Sequence, residues 1–387
     1  MKNVFNKLMV SSLISLAVIT PISGAYSDPT FDIKYYLRIL KFPFSEPIKN
    51  YDWYEPRVKV TGDNKGLNYD SKKQSEISQE AINKVIDYAQ NNNSLGITII
   101  HHGKIVTENY FRDWNNTLAG DSESMAKSVL SLLIGIAISE GKINSVNDPA
   151  SLYIEEWRND NRRRIKIKHL LQMNSGLRNS SSTISPFSDL AKMHLGFNVK
   201  DLVLTIPAKK SPGISFDYNN INSEILGIIL EKATGQKYYD YLSEKLWKPL
   251  GASDAQVETD DTDMSRTYCC LFAKLNDWGK LGLLVLNKGY LNGRQIVPKE
   301  WIENMVIPSR KKSNYGLHIW LADSKAFKSW RLSEKFVDES MIFFDGRSKQ
   351  RVFILPKYDL VIARVGDTSN EWKEDIIPNI LVRDLER

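Results

Sequence analysis

Cysteine and histidine are scarce in this chain, with two Cys and five His among 387 residues. The two cysteines, Cys269 and Cys270, are neighbours, and adjacent residues meet disulfide geometry only with strain. They are read as free thiols acting as small buried packing residues. A fold that depends on disulfides is thereby excluded, and the redox compartment is left open. The vicinal pair His101-His102 has no carboxylate or third histidine at a recognised ligand spacing, so its expected place is beside a turn at Gly103 rather than in a metal centre. Charge of one sign is also lacking: 52 Lys+Arg against 46 Asp+Glu leave a net charge of +6. The one sharp basic run, Arg162-Arg163-Arg164, reads as a solvated helix end or loop rather than a nucleic-acid patch. There is no internal repeat and no low-complexity tract.

What is present is an ordinary globular composition, 42% hydrophobic and 25% charged, with length for one large domain or two closely packed lobes. At the N-terminus Lys2 and Lys7 precede an apolar run over residues 8–22, and Ser23-Gly24-Ala25 follow it. This is the layout of a secretory signal peptide over residues 1–25. The run is short for a membrane span; the competing reading is an uncleaved anchor, and either way the body is expected to be exported, to a periplasm or the medium. Residues 26–78 are rich in aromatics, Pro and Lys without a lasting period, which suggests an extended arm anchored by its aromatic rings.

From residue 79 the pattern sharpens. Ala81, Ile82, Val85, Ile86 and Ala89 recur at helical spacing. Residues 97–100 and 104–107 flank His101-His102-Gly103 as a hairpin. Helices are expected over residues 129–139, 167–173, 199–206, 221–233 and 238–246, strands over 339–344, 351–355 and 360–365, and a closing helix over 376–385. Strands thus come from both ends of residues 79–387 and helices from the middle. The predicted fold is mixed α/β: an antiparallel sheet flanked by helices, beside a mainly helical lobe.

Two motifs carry chemistry. Ser124-Met125-Ala126-Lys127 opens an apolar helix. A serine there lies at the positive end of the helix dipole, and a lysine three residues on shares its face. Lys127 would need partial desolvation to serve as a base. Tyr218-Asn219-Asn220 lies on a loop after the turn Pro212-Gly213 and ahead of the next apolar helix. A tyrosine hydroxyl near a lysine relays protons to a leaving group. A second Ser-x-x-Lys at Ser309–Lys312 has no helix behind it, and a second Tyr-x-Asn at Tyr290–Asn292 sits in what looks like a Gly-rich hairpin.

With both motifs in that order, the chain resembles the serine β-lactamase and penicillin-binding superfamily, and within it the branch of class C β-lactamases, D-alanyl-D-alanine carboxypeptidases, esterases and 6-aminohexanoate-dimer hydrolases. Residues 170–177, 298–301 and Tyr315-Gly316-Leu317 also look like this branch. The resemblance implies a β-lactamase/transpeptidase-like fold over about residues 80–387. It implies Ser124 as nucleophile, Lys127 and Tyr218 sharing the base and acid roles, and Asn220 contacting substrate. The family's third motif corresponds to Asp345-Gly346-Arg347-Ser348-Lys349-Gln350, which lacks the Lys-Thr-Gly wording. Its backbone over Gly346–Ser348 would supply an oxyanion donor, and Arg347 either grips a substrate carboxylate or stands in water at a strand end. The implied activity is cleavage of a small ester or amide through an acyl-enzyme, with no metal or organic cofactor. The alternatives are a β-lactamase or D,D-carboxypeptidase, against which the altered third motif argues, and a catalytically silent binding protein.

Overall fold

The apolar runs near residues 94–101 and 350–366 lie far apart in sequence, and the larger sheet is where they meet. The computed structural model describes residues 28–43, 48, 53–71, 74–180, 185–328 and 331–387; the expected signal segment, residues 1–25, falls outside them. The strands are β1 (Arg57–Val60), β2 (Ser94–His101), β3 (Lys104–Tyr110), β4 (Gly120–Asp121), β5 (Ala255–Glu258), β6 (Leu271–Ala273), β7 (Tyr290–Leu291), β8 (Arg294–Gln295), β9 (Trp320–Leu321), β10 (Ile342–Gly346), β11 (Gln350–Leu355) and β12 (Leu360–Gly366). Six form an antiparallel sheet in the order β3-β2-β12-β11-β10-β9. A smaller sheet has the order β1-β5-β6-β4, and β7 pairs with β8 as a hairpin.

The helices are α1 (Ile33–Lys41), α2 (Gln79–Asn91), α3 (Ala126–Ser139), α4 (Ile167–Leu171), α5 (Asp189–Leu195), α6 (Val199–Thr205), α7 (Asn220–Thr234), α8 (Tyr238–Leu242), α9 (Leu275–Leu286), α10 (Lys299–Met305) and α11 (Ile376–Leu385). Alternation along the strands assigns them to the sheet's two faces. Phe353, Leu355, Leu360 and Ile362 pack with Ile82 and Val85 of α2 and Ile377 and Leu381 of α11. The intervening Val352, Ile354, Val361 and Ala363 join the core that contains α9 and the helical lobe. Because both faces are covered, β11 and β12 read as continuous apolar runs. Helix α3 is buried all round from Ala126 to Ala137, with Lys127, Ser128 and Ser131 the polar exceptions in an otherwise small or apolar stretch, so it is the axis of the helical lobe.

Helix starts follow local chemistry. The Ser78 hydroxyl accepts the Ala81 N–H at 3.2 Å and opens α2. Asn219 accepts the Ile221 N–H at 3.0 Å and opens α7, which ends at Gly235 with φ +72°.

Several expectations differ from the structure. The strand expected at 339–344 runs over 342–346, because the Asp338 carboxylate accepts the Ser340 N–H at 2.9 Å and folds 338–340 into a turn. The segment expected to be extended contains α1, opened by Asp32, whose carboxylate accepts the Lys34 N–H at 2.8 Å; Tyr35 and Tyr36 are its buried side. The same segment supplies β1 to the smaller sheet, a sheet not anticipated from the sequence. The cysteines are not free: Cys269 and Cys270 are joined in a vicinal disulfide. The expectation failed because Cys270 takes φ +68°, a left-handed turn that lets neighbouring sulfurs meet. Among the described residues no helix is long and apolar enough to cross a membrane.

The close approach of α9 to the sheet gives a direct test. A Cβ on Gly282 would lie 2.5 Å from Val361 Cγ1 and 2.8 Å from Val352 Cγ1. Gly282→Ala is expected to destabilise the protein by ~1–3 kcal/mol through overpacking, read as a lower Tm in a thermal melt; an unchanged Tm would mean that helix and sheet are not in this contact.

Candidate active site

Ser124 sits on a 3-10 turn, Glu123–Met125, that runs directly into α3. Two hydrogen bonds hold the start of that turn to β6: the Ser122 N–H donates to the Leu271 carbonyl at 3.0 Å, and the Leu271 N–H donates to the Ser122 hydroxyl at 3.1 Å. The Asp121 carboxylate accepts the N–H groups of Glu123 at 2.8 Å and Cys270 at 3.0 Å. The serine is therefore fixed by the small sheet on one side and by the helix on the other.

Lys127, one turn along, is 2% exposed. Its Nζ lies 2.8 Å from Ser124 Oγ and 2.7 Å from the Tyr268 carbonyl oxygen. It also stands 5.2 Å from the Tyr218 ring centre and 5.6 Å from that of Tyr268. Burial lowers the Lys127 ammonium to a pKa of about 7, against the opposing pull of Glu123, Glu224 and Asp345. A substantial neutral fraction near pH 7 makes it competent as a base.

The Tyr218 hydroxyl is hydrogen-bonded to Ser124, and burial raises its pKa well above the ordinary value. It is therefore a protonated hydroxyl at neutral pH. The loop carrying it is pinned by the Asp217 N–H donating to the Met173 carbonyl at 2.7 Å and by the Asn179 amide donating to the Tyr218 carbonyl at 3.1 Å. Its ring lies in an aromatic group with Tyr315 at 6.2 Å and Trp320 at 5.8 Å. Asn220 is the first residue of α7, and its buried Oδ1 has no hydrogen-bond partner.

The third-motif stretch also reaches the serine turn. Strand β10 ends at Gly346, where a Cβ would lie 2.6 Å from the Ser122 carbonyl oxygen, so only glycine lets the strand pass that close. Arg347, Ser348 and Lys349 form a turn into β11, with Ser348 at φ +56° and Lys349 at φ +64°. The buried Arg364 guanidinium holds it by donating to the carbonyls of Ser348 at 2.7 Å and Lys349 at 2.8 Å. Arg347 is exposed, and its charge opposes the rise that burial gives the Glu123 carboxyl. Beneath the turn, buried Arg351 donates to Glu374 at 2.8 and 2.7 Å and is paired with Asp345.

All seven residues singled out in the sequence thus lie on the three segments around Ser124. Sequence reasoning missed others. The Tyr268 carbonyl is the second partner of Lys127, and His194 Nδ1 contacts the Tyr268 hydroxyl at 3.2 Å. Phe42 and Trp53 of the N-terminal segment pack on His194 at 5.8 and 5.4 Å. The Tyr268 carbonyl and His194 bore no spacing that marks them, whereas Phe42 and Trp53 are among the aromatic anchors expected of residues 26–78.

Comparison with known proteins gives a consistent picture. The beta-lactamase family model matches residues 82–385. The 6-aminohexanoate-dimer hydrolase of Paenarthrobacter ureafaciens is 23% identical over 257 residues, 63% of this chain and 64% of the relative. The match therefore spans less than two-thirds of that relative's length. Among solved structures, a Bacillus anthracis protein carrying the 6-aminohexanoate-dimer hydrolase name superposes with a TM-score of 0.70 at 20% identity, covering 95% of this chain and 97% of that one. A family VIII carboxylesterase gives 0.63 at 14% identity, covering 83% and 99%. These likenesses carry the β-lactamase/transpeptidase-like fold.

The ion network under the third-motif turn is testable. Arg351→Met leaves Glu374 buried and short of its main partner, and is expected to cost about 3–5 kcal/mol. Urea unfolding should show a lower midpoint, with part of the loss recovered in Arg351→Met/Glu374→Gln. An unchanged midpoint in the single variant would contradict the network.

Proposed function

Given that the chain belongs to the beta-lactamase family, we propose that it is a serine hydrolase that cleaves an ester or amide through an acyl-enzyme on Ser124. The observation that carries this reading is a desolvated lysine amine 2.8 Å from the serine hydroxyl, at the mouth of a helix. Lys127 is the resting base: its neutral amine takes the Ser124 proton as Oγ attacks the substrate carbonyl carbon. The C=O π electrons move to oxygen, and backbone N–H groups of Ser124 and of the Gly346–Ser348 turn stabilise that charge. Tyr218 gives its proton to the leaving group as the C–O or C–N bond breaks, and Lys127 restores it. Water then attacks the acyl carbon, its proton passing through the same pair, and Ser124 leaves protonated. Asn220, whose buried carbonyl is unpartnered, binds an N–H donor of the substrate. Arg347, exposed beside Glu123, holds a substrate carboxylate.

The absence of Lys-Thr-Gly at residues 345–350 favours a small ester or oligoamide over a β-lactam or peptidoglycan stem. The names of the similar proteins point the same way: one hydrolyses 6-aminohexanoate dimer, another is a carboxylesterase. The signal-like layout of residues 1–25 supports export to the periplasm or medium, and a vicinal disulfide suits an oxidising compartment.

A fluorophosphonate, which phosphonylates activated serines with loss of fluoride, tests the nucleophile. Intact-mass spectrometry should show one adduct on the wild type and none on folded Ser124→Ala. Tyr218→Phe should still fold and lose about 10²–10⁴-fold in kcat on an amide. An adduct retained in Ser124→Ala, or no adduct on the wild type with the smallest probe, would overturn the assignment.

A further inference from the structure

The hairpin between β2 and β3 turns through His102 at φ +52° and Gly103 at φ +71°, two left-handed residues as a tight two-residue turn requires. The histidines therefore do flank the turn. The carboxylates that the sequence did not place near them arrive from elsewhere: Glu76 from the segment ahead of α2, and Asp359 from the turn between β11 and β12. His102 Nε2 lies 3.2 Å from Glu76 Oε2, and His101 Nδ1 lies 3.6 Å from the same oxygen. All three donor atoms fall within 4.8 Å of one another. The imidazole rings stack at 3.9 Å.

We propose that Glu76, His101 and His102 bind one divalent transition-metal cation, with Zn²⁺ the best match to two imidazoles and a carboxylate. A tetrahedral Zn²⁺ with bonds of about 2.0–2.1 Å sets neighbouring ligand atoms roughly 3.3 Å apart; Glu76 already stands 3.2 and 3.6 Å from the two nitrogens, and the stacked rings would swing apart to close on one ion. The groups behind the ligands are those a metal site needs. His102 bridges two carboxylates, with Nδ1 3.0 Å from Asp359 Oδ2 and Nε2 3.2 Å from Glu76 Oε2; an ion would replace the Nε2 proton while Nδ1–H stays on Asp359, fixing the ring. The His101 ring also hydrogen-bonds the Tyr358 backbone, and its Nδ1 lies within hydrogen-bond distance of the Ser75 hydroxyl, a contact that an ion would displace. The Ser75 hydroxyl, 2.9 Å from His101 Nδ1, stands beside the position open to a fourth ligand or water.

Such an ion would clip together three segments: residues 75–76, the β2–β3 turn and the β11–β12 turn. It would not take part in hydrolysis. His101 pairs with Leu360 at one end of the sheet, whereas Gly346 pairs with Gln350 at the other. The site lies about one strand length, on the order of 20 Å, from the serine turn.

The test uses the full chain, stripped with chelator and titrated with Zn²⁺ alone by calorimetry. The wild type should take up one equivalent, and its Tm should rise by several degrees with excess Zn²⁺. His102→Asn, which keeps a residue tolerant of the left-handed turn, and Glu76→Gln should each weaken binding at least tenfold; Asp359→Asn should weaken it about 10–100-fold. Ester hydrolysis should be unchanged in all three. A second candidate donor set, His194 with Cys269 and Cys270, is checked with Cys269→Ser/Cys270→Ser, which should bind Zn²⁺ as the wild type does. Absence of saturable binding, binding unaffected by His102→Asn and Glu76→Gln, or binding lost only with the cysteines would each overturn the proposal.

Discussion

Lys127 is held almost out of water next to a serine hydroxyl, and that placement is costly unless the surroundings compensate. A buried ammonium loses its hydration and answers by giving up its proton more readily. Here two near acceptors, the Ser124 hydroxyl and the Tyr268 carbonyl, satisfy part of its hydrogen-bonding capacity, and the faces of two tyrosine rings line the rest. The elements around it make sense as the enclosure this group requires. Helix α3 carries the lysine on the buried axis of its lobe, β6 anchors the serine turn, and the Tyr218 loop closes the third side.

The cleft wall formed by the β10–β11 turn answers a different problem. Left-handed backbone at Ser348 and Lys349 is unfavourable for residues with side chains. The buried guanidinium of Arg364 ties down both carbonyls, while Arg351, Asp345 and Glu374 fix the strand ends on either side. Gly346 lets that rigid turn approach the serine. Four charged side chains under one turn are more than stability alone calls for, since a buried ion pair is seldom worth more than a well-packed apolar one; a fixed geometry next to Ser124 is the use the site makes of them.

Much of this was legible in the sequence wherever a local rule decided the outcome. The spacing of Ala81, Ile82, Val85 and Ala89 marked α2, and the i, i+3 relation set Lys127 on the same helix face as Ser124. The joining of the hairpin to the three C-terminal strands in one antiparallel sheet followed from apolar runs at both ends of residues 79–387, whereas the edge strand β9 did not. What could not be read were contacts made by backbone groups and by residues distant in sequence. The Tyr268 carbonyl bears no sequence signal because any residue has one. Glu76 and Asp359 meet His101-His102 only after the sheet has formed. The pairing of Cys269 with Cys270 turned on one positive φ, and β1 found its partner some two hundred residues along the chain. Helix α1 was hidden because nine residues with one buried side are too few to establish a period.

The central claim concerns the protonation of a single side chain, and it is measured most directly by following lysine ε-carbons in a ¹³C-lysine-labelled sample by NMR across pH 5 to 11, with the Lys127 signal assigned from Lys127→Arg. A midpoint near 7, well separated from the body of lysines near 10.4, is the result expected if burial has made Lys127 the resting base. A Lys127 that titrates with the others would leave a charged ammonium beside Ser124 at neutral pH and would contradict the account.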